Sequence, residues 1–306
     1  MRKRLLLISL FAVVVAGAAF LWWQSRNQPR LGEAAYAHTQ AILKFGPRPP
    51  GSEGLKAVRG YLRAQLEAAG WVTAGQAFEH STSHGMIRFE NVRARFPGAG
   101  GDPWQRPVTG VLGAHVDSKW FKDQVFLGAD DSASACGAIL EIARVLAVES
   151  PAQAAQLELV FFDGEEAFGE NITAFDGLFG SRHYASKLRD QGPLPQFGVV
   201  LDIIGHKDQM IKLPADTPES LRDTVLAAAK KEGAAARYGI APGPITDDHV
   251  PLNLAGIPTV DIIGDFSPAR GWHTPGDTLQ NISPAVLDIN MRVALRVLRE
   301  RLKSPR

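Results

Sequence analysis

The sequence predicts an α/β fold: a central mixed, mainly parallel β-sheet flanked by helices on both faces, in a single globular domain after an N-terminal membrane anchor. Three observations predict it. Apolar strand-like runs alternate with helical patterns from residue 31 onward, as in a parallel sheet covered on both faces. No linker, internal repeat or low-complexity segment interrupts that alternation. The chain has 306 residues, 45% hydrophobic and 21% charged, which suits one large α/β domain or two small ones.

The elements follow in order. Helices are predicted over 31–45 and 53–70. In the second, Leu55, Val58, Leu62 and Leu66 recur at spacings of three and four. "GPRPPGSEG" (46–54) is a turn between them. "MIRFENVRARF" (86–96) alternates partly like a strand, and "PGAGGDP" (97–103) ends it. "VTGVLGAH" (108–115) reads as a buried strand. A helix at 132–148, a strand at 156–162, a helix at 177–190 and a strand at 197–204 follow. Next come a helix at 217–232 and a strand at 258–263, "PTVDII". The last helix begins at Ser283 and Pro284, a cap and a first-turn proline. Its apolar stripe is Leu287, Met291, Leu295, Leu298 and Leu302.

The N-terminus differs from the rest. "MRKR" precedes a charge-free run from Leu5 to Trp23, close to the ~20 residues a membrane span needs. Arg2, Lys3 and Arg4 predict a cytoplasmic N-terminus, and Trp22 and Trp23 suit the interface. Residues 1–30 are therefore expected to be a signal-anchor and linker. Residues 31–306 are expected to form the catalytic domain outside the cytoplasm, as a monomer. A secretion signal cleaved near "AGA" (16–18) is the alternative. A net charge of +1 without a basic stripe gives no case for nucleic acid. The single cysteine, Cys136, excludes an intramolecular disulfide and a zinc-finger site, and reads as a small buried helix residue.

The chemistry-bearing residues fall at strand ends. Strand 108–115 ends in His115 and Asp117, and "GADDSA" brings Asp130 and Asp131. Strand 156–162 runs into "DGEEAF", with Glu165 and Glu166 side by side. Strand 197–204 carries Asp202. "TDDHVP" brings Asp247, Asp248 and His249, and "GWHTPGDT" brings Trp272, His273 and Asp277. A parallel sheet puts all of them at one end, where sites form in such folds. Two carboxylates and a histidine make a zinc shell with an open fourth position, and suit zinc better than magnesium. Asp117 fits either a metal or a role holding the His115 ring. The plain readings are a structural Asp163, a helix-packing His183, and surface positions for His38, His80, His84 and His206.

These motifs resemble a known family. "GPRPPGSEG", "HVDS", "GADDSA", "EE", "DIIG", "DDHVP" and "HTPGDT" stand in the order found in M28-type zinc aminopeptidases. "HVDSKWF", "VFFDGEEAF", "DGLFGSRHYA", "DDHVPL" and "WHTP" are similar to the animal-type glutaminyl cyclases within that group. The resemblance implies an aminopeptidase-type mixed sheet and conversion of N-terminal glutamine of peptides or proteins to pyroglutamate, with loss of ammonia. It implies one zinc ion on Asp131, Glu166 and His273. A two-metal aminopeptidase would use His115, Asp131, Glu166, Asp202 and His273, so residue identity leaves the metal count open. The resemblance further implies Glu165 as base, Asp202 and Asp248 as orienting acids, and Trp272 as an apolar wall that binds substrate. "GENITAF" departs from the cyclase pattern, with Phe168 or Phe175 in place of a substrate-side tryptophan. A metal-dependent aminopeptidase is the alternative function. A membrane-tethered protein that binds metal or peptide without turnover is a third, and the free acid Glu165 argues against it.

Overall fold

Six strands form the central sheet of the computed structural model, which describes residues 30–98, 100–189 and 192–302. The expected membrane span at Leu5–Trp23 lies outside these residues. Among the described residues, no helix is long and apolar enough to cross a membrane.

Helices α1 (Leu31–Leu43) and α2 (Glu53–Ala68) come first. Ser52 caps α2, its Oγ accepting from the Leu55 N–H. The predicted Leu55, Val58, Leu62 and Leu66 stripe is fully buried. A hairpin follows, β1 (Val72–Thr82) and β2 (Gly85–Arg95). The sequence reading missed β1, for a physical reason: it is an edge strand with no buried residue, so it lacks the apolar alternation that marks a strand.

The rest of the chain alternates: β3 (Gly110–His115), α3 (Ala135–Glu149), the short α4 (Pro151–Ala154), β4 (Leu157–Phe162), α5 (Phe179–Arg189) and β5 (Phe197–Asp202). Then come β6 (Ile211–Leu213), α6 (Glu219–Lys231), β7 (Tyr238–Ile240), α7 (His249–Leu254), β8 (Thr259–Ile263) and α8 (Pro284–Arg301). The sheet order is β1-β2-β4-β3-β5-β8. β4, β3, β5 and β8 pair in parallel, while β1–β2 and β2–β4 are antiparallel. The carboxyl ends are level: His115 pairs with Phe162, and Asp202 with Ile263.

Every residue of β3, β4, β5 and β8 is buried. Period-two alternation sends Leu112, Leu159, Phe161, Val199 and Val260 to a large core with α1, α2, α3, α6 and α8. It sends Val111, Val160 and Phe162 to a smaller core with α5 and α7. Ser283 caps α8, and the predicted stripe from Leu287 to Leu302 is buried. Cys136 is buried in α3, with Sγ 3.1 Å from the His115 carbonyl.

Three expectations need correction. The strand expected over 197–204 stops at Asp202, because Ile203 turns to φ 50°. The helix expected from 132 starts at Ala135, because Ala129–Ser134 makes an irregular wide turn around the two aspartates. His206 is buried rather than at the surface: its N–H donates to Asp130 Oδ2, and its Nδ1 accepts from the Asp208 N–H.

Candidate active site

The parallel strands deliver their acids and histidines to one edge. His115 is the last residue of β3 and Asp202 the last of β5. Glu165 and Glu166 follow β4 through Gly164, whose φ of 75° makes the turn; a Cβ there would collide with the Phe89 ring. His273 follows β8 at φ 52°, its ring stacked on Trp272 at 3.9 Å between centroids. Left-handed backbone at Ile203 is a true outlier for a β-branched residue, and Ile203 lines the cavity beside His273.

Two clusters meet at Asp131. In one, His273 Nε2 lies 3.4 Å from Asp131 Oδ2 and 3.2 Å from Glu166 Oε2. In the other, His115 Nε2 lies 3.0 Å from Asp131 Oδ1 and 3.3 Å from Asp202 Oδ1. In each cluster the nitrogen and oxygen donors lie within 4.8 Å of one another. Both His115 nitrogens, Asp131 Oδ2 and Asp202 Oδ1 have no hydrogen-bond partner among the described residues. Buried polar atoms require partners. Imidazole nitrogens and carboxylates that converge without partners fit a borderline divalent cation such as zinc.

Buried aspartates hold the backbone of these segments. Asp117 accepts from the N–H groups of Glu165 and Glu166, both at 3.2 Å. Asp277 accepts from the N–H groups of Asp130 and Asp131, at 2.8 and 3.2 Å. Asp130 itself accepts from Gly205, His206 and Ser134. Asp176, only half-buried, accepts from Phe168 and Gly169. Asp117 belongs to neither metal-capable cluster; its Oδ1 stands 3.6 Å from His115 Nδ1. Arg48, fully buried, donates to the carbonyls of Val116, Leu127 and Gly128 and so ties down the loop between His115 and Asp131.

A cavity of about 330 Å³ opens onto the first cluster. Asp131, Glu165, Glu166, Asp202, Asp247, Trp272 and His273 line it, with Ile172, Ile203, Ile245 and Phe266 as apolar wall. The sequence expectation named Asp248 as the acid of the "DDH" run. The structure puts Asp247 on the wall and Asp248, fully buried, behind it at the start of α7. Sequence reasoning also missed Lys119, which donates to the Ala167 carbonyl and sits 3.7 Å from Glu166 Oε2. It missed Asp261 too, buried inside β8, with Oδ2 3.3 Å from His249 Nδ1. An aspartate in an otherwise apolar strand was the available signal.

The electrostatics follow from burial. Burial pushes the Glu165 carboxyl well above its usual range, against the pull of His115, and Glu166, Asp247 and Asp248 push it further. Burial opposes ionisation of Asp131 too, yet the His115 imidazole 3.0 Å away and the charges of His273 and Arg48 hold it below the usual range. Burial raises Glu166, and Asp131 adds to that, while His273 and Lys119 work against it. The edge is rich in negative charge that a bound cation would balance.

Residues 91–298 match peptidase family M28. The chain is 33% identical over 285 residues to the mouse glutaminyl-peptide cyclotransferase-like protein, an alignment covering 83% of this chain and 72% of that one. It is 31% identical to the Bos taurus glutaminyl-peptide cyclotransferase, over 96% of this chain and 94% of that one. Among solved structures, the Acidobacteriales bacterium glutaminyl cyclase superposes with a TM-score of 0.78 at 29% identity, covering 90% of this chain and 96% of that one.

Proposed function

This chain belongs to peptidase family M28, and from that membership and its kinship with glutaminyl-peptide cyclotransferases we propose that it converts the N-terminal glutamine of peptides and proteins to pyroglutamate, releasing ammonia. The observation that carries the reading is the division between two adjacent glutamates. Glu166 faces Asp131 and His273, whereas Glu165 lies in the same cavity outside both ligand clusters.

Asp131, Glu166 and His273 would hold one zinc ion, which when bound would polarise the γ-carbonyl of the substrate glutamine. The substrate's α-amine is tethered to the carbon it attacks, so the enzyme has mainly to orient it. Glu165 takes a proton from the α-amine as the bond from α-nitrogen to the δ-carbon forms. Glu165 then returns the proton to the amide nitrogen as its bond to the δ-carbon breaks, and neutral ammonia departs. Asp202 and Asp247 orient the amine and the leaving amide from the cavity wall, with Asp248 packed behind. Trp272 and the isoleucines shield the carbonyl from water that would otherwise hydrolyse it.

The second reading, a two-metal aminopeptidase, is favoured by one observation: His115, Asp131 and Asp202 form a complete second ligand set. One experiment separates them. The purified chain is incubated with a Gln-initiated peptide while ammonia, peptide mass and metal content are followed. Ammonia release with one zinc per chain is expected. Release of amino acids, with two metal ions required, would establish the aminopeptidase instead.

Residues 1–30 anchor the catalytic domain, residues 31–306, on the outer side of a membrane; the charge-free run from Leu5 to Trp23 supports this. The domain works as a monomer. Protease added to intact cells should remove the domain, and a soluble cytosolic full-length chain would refute the anchor.

A further inference from the structure

A second cavity, of about 490 Å³, adjoins the catalytic one and shares Lys119, Glu170, Asn171, Trp272 and His273 with it. Its remaining lining is mainly aromatic, Trp120, Phe121 and Phe168, with Lys122 and Gly169. None of the three aromatic residues has a part in the reaction derived above. Aromatic walls of this kind bind large apolar side chains.

The tip of the β1–β2 hairpin completes the arrangement. The His84 ring lies 4.5 Å from the Trp120 ring and 4.7 Å from the Phe168 ring, between centroids. One ring thus packs against both Trp120 and Phe168. The charges at the rim are Lys122 and Glu170, opposite in sign, so no net field selects a charged guest. Lys119, the remaining cation, is offset by Glu166 Oε2 at 3.7 Å.

We propose that this cavity binds the residue following the N-terminal glutamine and selects for an aromatic or large apolar side chain there. The inference rests on the cyclotransferase reading and deepens it. Once the glutamine's amine and side chain occupy the catalytic cavity, its α-carbonyl is the one direction in which the peptide continues. One residue advances the chain by at most ~3.6 Å, which reaches a cavity sharing the Trp272–His273 wall. His84 acts as a positioning residue through Trp120 and Phe168.

The test compares Gln-Phe-Ala-amide, Gln-Gly-Ala-amide and free glutamine amide as substrates of the wild type, Trp120→Ala and Trp120→Phe. The wild type should favour the Phe peptide over the Gly peptide by about tenfold in kcat/KM. Trp120→Ala should bring that ratio close to one while leaving glutamine amide turnover unchanged, and Trp120→Phe should restore most of it. Equal rates on both peptides in the wild type would overturn the proposal. So would a loss in Trp120→Ala that is the same for glutamine amide and both peptides. Calorimetry with pyroglutamyl-Phe-Ala-amide and pyroglutamyl-Gly-Ala-amide keeps the two readings apart. Tighter binding of the Phe form to the wild type but not to Trp120→Ala, with no turnover of any substrate, would sustain the groove and overturn the reaction. No difference in Kd alongside normal ammonia release would overturn the groove and sustain the reaction.

Discussion

The two ligand clusters share Asp131 but differ in access. The Asp131–Glu166–His273 set borders the cavity, and the His273 side chain is 17% exposed. In the His115–Asp131–Asp202 set the histidine is 1% exposed and enclosed by Asp117, Asp131 and Asp202. A metal that activates a substrate needs a position the substrate can reach. All three residues of the first set line the cavity beside Glu165, whereas of the second set Asp131 and Asp202 line it and His115 does not. The two sets therefore differ chiefly in the exposure of their histidines. Both carboxylates of the first set sit on backbone held by a buried aspartate, Asp117 for Glu166 and Asp277 for Asp131.

Substitutions can break this comparison at graded strength. Glu166→Gln removes a ligand from the open set, so zinc content measured after dialysis should fall to near zero, and cyclisation with it. Retention of one tightly bound zinc would mean that the metal sits in the enclosed set. Glu165→Gln keeps size and polarity but removes the base. Cyclisation should fall by about 10²–10⁴-fold with zinc and fold unchanged. Near-full activity, or outright loss of zinc, would reverse the roles given to the two glutamates. Asp117→Asn is the mildest. Its side chain keeps one acceptor oxygen in place of two, so one of the paired N–H groups at 165 and 166 loses its partner. Zinc affinity should fall by about 10–100-fold, read by competition with a chelator, while Glu165→Gln leaves it unmoved. An unchanged affinity would show that Asp117 serves packing alone.

Much of this was legible because it is local. The apolar spacing of Leu55, Val58, Leu62 and Leu66, and the Ser283 cap, specify helices without reference to distant residues. The apolar runs at β3, β4, β5 and β8 announce strands buried on both faces. The edge strand β1 escaped notice because it carries no buried residue. "GPRPPGSEG" was legible as a turn, but its buried Arg48 was not. The arginine's partners lie at Val116, Leu127 and Gly128, far along the chain.

By itself, the sequence determined the order of the buried parallel strands and of the longer helices, and that the acids and histidines stand at strand ends. Those properties follow from periodicity and from the rule that parallel strands finish at one edge. The tertiary structure decided which way the members of an adjacent pair face: Asp131 faces the histidines while Asp130 accepts from Gly205 and His206, and Asp247 lines the cavity while Asp248 does not. The reason is geometric. In turns such as those at Gly164, Ile203 and His273, backbone angles are set by packing against remote segments, and a side chain's direction follows those angles rather than its place in the chain.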